Sequence, residues 1–141
     1  MARILIVTFA LISIGGVVSA EPDQRIVLPY LQIQIALAND STEGVSEAAA
    51  SVVSAAVSLG ESGKMIAIAA KALVDASTLE AVREKFGPMS EAFIAYGNEV
   101  GFGELKVAYC PMVSKSWVQK ASAIRNPFYG STMLTCGHFT N

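Results

Sequence analysis

Residues 77–96 read STLEAVREKFGPMSEAFIAY, and this stretch decides the fold. Leu79, Val82, Phe86, Met89, Phe93 and Tyr96 follow one another at intervals of 3, 4, 3, 4 and 3 residues. That rhythm lays six apolar side chains along one face of an α-helix. Ser77, followed three residues later by Glu80, has the pattern of a capping box and marks the helix start. Gly87-Pro88 should kink or break the run, because Pro88 removes a backbone donor inside it. Gly97, Gly101 and Gly103 close the helix.

Upstream of this stretch the chain reads as three more helices. Residues 45–59 are crowded with alanine (Ala48, Ala49, Ala50, Ala55, Ala56), the best helix former and one that lets neighbours approach closely. Thr42 or Ser46 is positioned to cap this helix, and Gly60 and Gly63 end it. A further helix over 64–76 carries Met65, Ile66, Ile68, Leu73 and Val74. The first helix is expected from Pro29, a residue suited to a first helical position, to the turn cluster Asn39-Asp40-Ser41-Thr42. The partial alternation of Leu31, Ile33, Ile35 and Leu37 leaves a strand open there. Residues 21–28 read as an extended or disordered lead.

Beyond Glu104 the texture changes. Residues 105–109 read as a short extended piece, with one helical turn expected around 117–123 and turns at Asn126-Pro127 and Gly130. The expected architecture is mainly α: a small helical bundle over residues 21–141 with an irregular, loop-rich C-terminal cap from about residue 104.

The first twenty residues have the three parts of an export signal. Arg3 is the positive region, residues 4–18 are apolar or small, and Val18-Ser19-Ala20 precedes the polar Glu21-Pro22-Asp23. The apolar run is short of the roughly 20 residues a spanning helix needs. Cleavage after Ala20 and a periplasmic or secreted location are therefore expected, with no stable membrane insertion afterwards. Of ten Lys/Arg and twelve Asp/Glu, the signal takes only Arg3, so the remainder carries 9 against 12, a net charge of −3. The basic residues form no cluster, which speaks against a nucleic-acid partner.

The chemistry concentrates in the last 32 residues, which hold both cysteines, the one histidine and the one tryptophan. The arrangement is Cys110-Pro111-Met112, then Met133-Leu134-Thr135-Cys136-Gly137-His138. Thiolate and thioether are soft donors that select Cu(I), and imidazole suits copper and zinc. Cys110 and Met112 share a side in an extended chain, as do Cys136 and His138, so two such arms side by side would offer a donor pocket. The competing reading is a structural disulfide between Cys110 and Cys136, worth roughly 3 kcal/mol on the chain-entropy model. In that reading Met112 and Met133 fill the core and His138 is solvated. Trp117 reads as core, with a contact to a bound cation as the sharper alternative.

Tyr109-Cys110-Pro111-Met112, then Trp117, then Ile124-Arg125-Asn126-Pro127-Phe128-Tyr129-Gly130-Ser131-Thr132-Met133-Leu134-Thr135-Cys136-Gly137 resembles the motif of the domain of unknown function 3347 family. Arg83-x-x-Phe86-x-x-Met89-Ser90 is similar to the helix that precedes it. The resemblance covers residues 29–137 and is specific in its C-terminal part. It implies a helical exported domain in copper or silver handling, found also fused to adaptor subunits of Cus-type heavy-metal efflux systems. It carries over Cys110, Met112, Met133 and Cys136. Tyr109 stands where many members have histidine, which removes one ligand unless His138 replaces it.

The sequence supports an enzyme least. It has no glycine-rich phosphate loop, zinc-hydrolase motif, paired carboxylates or C-x-x-C. Two functions follow: a Cu(I)- or Ag(I)-binding protein, with zinc as competitor and an efflux adaptor as partner, or a disulfide-stapled helical interaction module.

Overall fold

The computed structural model describes residues 21–141. The expected export signal, residues 1–20, lies outside the described residues. Four helices, α1 (Gln24–Ala38), α2 (Val45–Ser58), α3 (Lys64–Val74) and α4 (Leu79–Val100), pack in sequence order, and a small sheet follows. Its strands are β1 (Leu105–Cys110), β2 (Lys115–Lys120) and β3 (His138–Phe139), antiparallel in the order β2-β1-β3. The protein is mainly α, and β2 lies against α4. No helix among the described residues is long and apolar enough to cross a membrane.

The six-residue stripe of α4 is the centre of the core. Val82, Phe86, Met89 and Phe93 are fully buried, and Tyr96 nearly so. Tyr30 of α1 stacks on Phe93 at 4.4 Å between ring centroids and tilts against Phe86 at 5.4 Å. Its hydroxyl bonds Ser90 Oγ at 2.6 Å and accepts the Val118 N–H at 3.0 Å, so one phenol ties α1 to α4 and to β2. Burial pushes its pKa up and keeps it protonated.

Several boundaries differ from the sequence reading. The 21–28 lead is not extended throughout: α1 begins at Gln24, with Asp23 accepting the Arg25 N–H at 2.9 Å as the cap. Pro29 therefore sits inside the helix, at a cost of about 3 kcal/mol. Full burial of Ile26 and near-full burial of Val27 in the same turn offset this, at roughly 1.5–3 kcal/mol each. Gly87-Pro88 does not break α4 either. Pro88 faces solvent while its neighbours Phe86 and Met89 stay in the core. The α4 cap is Thr78, one residue later than Ser77, and its Oγ1 accepts the Ala81 N–H. Neither Thr42 nor Ser46 caps α2. Gly44 does so without a side chain, and Ser46 instead donates to the Val74 carbonyl at 2.7 Å, joining α2 to the end of α3.

The helical turn expected around 117–123 is instead strand β2 over its first half. Trp117 and Val118 are both fully buried although they point to opposite faces, so this strand is covered on both sides. A segment buried on both faces shows no alternation by which to identify it. Its complete register with β1, from Leu105 opposite Lys120 to Cys110 opposite Lys115, supplies the pairing that local sequence does not.

Candidate metal site and the loop that builds it

Cys110 ends β1 with its side chain turned into the core and no exposed surface. Cys136 reaches it from the C-terminal loop, and the two form a disulfide with Cα atoms 5.7 Å apart. The loop that delivers Cys136 is organised by Asn126, itself fully buried. Its Oδ1 accepts the N–H of Phe128 at 2.8 Å and of Tyr129 at 3.3 Å, while its Nδ2 donates to the Cys136 carbonyl at 3.0 Å. Its backbone N–H donates to Leu134 and its carbonyl accepts from Gly130. One residue thus satisfies five polar groups that the cap would otherwise bury unpaired.

The cap is anchored to the bundle through Arg83. Its Nε donates to the Pro127 carbonyl at 2.8 Å, and Nη2 donates to the Leu37 carbonyl at 2.8 Å and pairs with Asp40 Oδ1 at 2.7 Å. Asp40 Oδ2 accepts the Ser131 N–H at 3.0 Å. These bonds, to Ser131 first and then Arg83, hold the Asp40 pKa down at about 2. Gly130 has φ +55°, and a Cβ there would run into Asp40 Oδ1 and the Arg83 guanidinium. At Gly137 (φ +137°) a Cβ would meet the Trp117 ring at 2.9 Å and the Tyr109 carbonyl at 3.0 Å. The Asn-Pro-x-x-Gly and Cys-Gly parts of the motif are therefore explained by loop building.

The structure separates the remaining candidate donors. Met112 lies in the β1–β2 turn and is 63% exposed, so it fills no core. Met133 is half-buried at the end of a 3-10 turn (Gly130–Thr132), and its carbonyl accepts the Cys136 N–H at 3.0 Å. His138 is exposed and pairs across the sheet with Tyr109, the two rings edge-on at 6.0 Å. Residues opposite one another in a ladder share a face, and Tyr109 alternates with Cys110, so His138 faces away from the cysteine pair. Among the described residues no three His, Cys, Asp or Glu side chains are grouped to hold a metal ion. Trp117 is core: its ring meets Phe128 edge-on at 6.1 Å and its indole N–H donates to Gln119 Oε1 at 2.9 Å.

Sequence reasoning passed over Asp40, treating it as a turn residue, and Gln119, which accepts from both Trp117 and the Arg125 backbone. The available hint was the Asn39-Asp40-Ser41-Thr42 cluster, because aspartate in a turn often has a side-chain task, and Asp40 does take a positive φ of 57°. In comparisons with known proteins, no family model, no curated protein and no solved structure matches this chain.

Proposed function

We propose that this is an exported soft-metal binding protein in which the reduced Cys110 and Cys136 take one Cu(I) or Ag(I) ion in heavy-metal tolerance. The observation that carries the reading is the meeting of the two sulfurs at the end of β1, two residues from the exposed thioether of Met112. The donors fit a soft, low-coordinate ion held by sulfur. They fit zinc less well, because zinc takes four N, S or O ligands and His138 faces away from the thiols. The disulfide is the oxidised form. Opening it takes two electrons and two protons from an external dithiol, which leaves as its own disulfide, and the thiols release those protons when a cation binds. An efflux adaptor as recipient of the ion, and a periplasmic or secreted location, follow from the family resemblance and the N-terminal pattern.

Anaerobic titration of the reduced protein with Cu(I) and Ag(I) against a competing chelator tests this reading. One equivalent should bind, and a Cys110→Ser, Cys136→Ser variant should lose it. Equal affinity in both proteins overturns the proposal.

The complete burial of Cys110 favours a second reading, a disulfide-stapled helical interaction module without a metal. Counting free thiols and bound metal in protein taken from its native compartment separates the two. A quantitative disulfide that dithiols open only on unfolding supports the module.

A further inference from the structure

Cys110 and Cys136 are bonded to one another but are not equally reachable. Cys110 has no exposed surface: it ends β1 on the face that also carries Ala108 and, across the ladder, Trp117, all three wholly buried. Cys136 is half-buried. Its N–H donates to the Met133 carbonyl at 3.0 Å and its carbonyl accepts from Asn126 Nδ2 at 3.0 Å, so its accessible surface falls to its side chain. Its chain neighbours are Thr135, which is exposed, and Gly137, which has no side chain to screen the sulfur.

A disulfide is opened by a thiolate that attacks one of its two sulfurs, and which sulfur is attacked depends on access. Packing closes Cys110 to an incoming thiolate, whereas Cys136 presents surface to solvent. We propose that external dithiols enter at Cys136, with Cys110 the sulfur that leaves. The incoming thiolate bonds to Cys136 Sγ as the bond to Cys110 breaks, and Cys110 Sγ departs as a thiolate and takes up a proton. The second thiolate of the reagent then attacks the reagent's own first sulfur, which frees Cys136 to take up a proton and releases the reagent as its disulfide. This entry route rests on the reading above that the pair cycles between disulfide and dithiol, and does not depend on which ion the dithiol takes.

The loop has anchors besides the disulfide. Asn126 holds the Cys136 carbonyl, and Arg83 Nε holds the Pro127 carbonyl at 2.8 Å. The freed Cys136 therefore stays beside Cys110 instead of swinging away, and the pair can close again.

The test treats the whole oxidised protein with mercaptoethanol, a monothiol that stops at the mixed disulfide. Rapid mixing into denaturing mild acid with excess N-ethylmaleimide traps the products. Trypsin then separates residues 107–115, which hold Cys110, from residues 126–141, which hold Cys136, for mass spectrometry. In the folded protein the mercaptoethanol adduct should lie on Cys136 and the maleimide on Cys110, at least about tenfold over the reverse, because a buried sulfur reacts only through local opening. Protein unfolded in urea should show no such preference. Single-cysteine variants give a second measurement: Cys136 in Cys110→Ser should react with a chromogenic aromatic disulfide at least about tenfold faster than Cys110 in Cys136→Ser. An adduct shared equally or found on Cys110 in the folded protein, while Cu(I) still binds, would overturn the entry route and leave the metal reading standing. An adduct on Cys136 without Cu(I) binding would uphold the entry route and remove the metal. No exchange short of unfolding would overturn the entry route together with the cycling on which it rests.

Discussion

The Asn126 side chain donates to the carbonyl of Cys136 at 3.0 Å, so the residue that folds the cap also sets where the second sulfur lies. Cys136 is held from its backbone as well as through its sulfur, and the two restraints are separable by mutation.

Replacing Asn126 by alanine should cost on the order of 3 kcal/mol, since it strands the Cys136 carbonyl and the Phe128 and Tyr129 N–H groups at about 1–3 kcal/mol per buried group, less what water recovers. Asn126→Asp keeps the acceptor but loses the donor and puts a carboxyl into a fully buried site against the Cys136 carbonyl, so it should not recover wild-type stability at neutral pH. Urea unfolding of the oxidised proteins measures this, and an unchanged midpoint for Asn126→Ala would show that the loop is held by something else.

Asp40 makes acid stability a test of the anchor. Its folded pKa of about 2 lies below the unfolded value near 4, so its contribution is complete above about pH 4 and is lost as pH falls toward 2. Asp40→Asn should lower the thermal midpoint at pH 6 and flatten its decline between about pH 4 and pH 2. Parallel curves for the two proteins across that window would refute the assignment.

Gly130→Ala should destabilise by more than the roughly 1–2 kcal/mol that a left-handed conformation costs an L-residue. The added Cβ would also displace Asp40 from Arg83. Gly60→Ala is the control: it too has positive φ, but nothing lies within 4 Å of the added atom. Equal losses in the two variants, read by urea denaturation, would mean that strain alone matters at residue 130.

How far the sequence was legible depended on whether a residue's neighbours in the chain were also its neighbours in space. The stripe from Leu79 to Tyr96 is local, and it gave α4 and with it the mainly helical fold. Strand β2 was not legible, because Trp117 and Val118 are buried on opposite faces by partners from α1, α4 and the cap. Pro29 looked like a helix start, because the compensating burial of Ile26 and Val27 depends on tertiary packing. In the cap, Cys136 and His138 would share a side only on a regular strand. Gly137 at φ +137° interrupts that alternation, and the pairing of His138 with Tyr109 turns it outward.

That outward turn gives the sharpest test of the metal site's composition. If the reduced Cys110 and Cys136 bind Cu(I), any third donor comes from a side chain free to swing toward them. Met112 follows Cys110 by two residues and is 63% exposed, so reorienting it breaks no packing. Met133 is half-buried and its turn is fixed by the bond from Cys136, and His138 lies across β1 on the opposite face. Met112→Leu should therefore weaken Cu(I) binding by about tenfold or more, which is about 1.4 kcal/mol. It keeps the volume and apolar character, so the fold should be unaffected. His138→Ala should leave the affinity as it was, and Met133→Leu should have the smaller effect of the two methionine changes. Competition titrations of the reduced variants under anaerobic conditions rank the three. A loss on His138→Ala with none on Met112→Leu would mean that reduction rearranges β3 and brings the imidazole round to the thiols, making the site a thiolate–imidazole one.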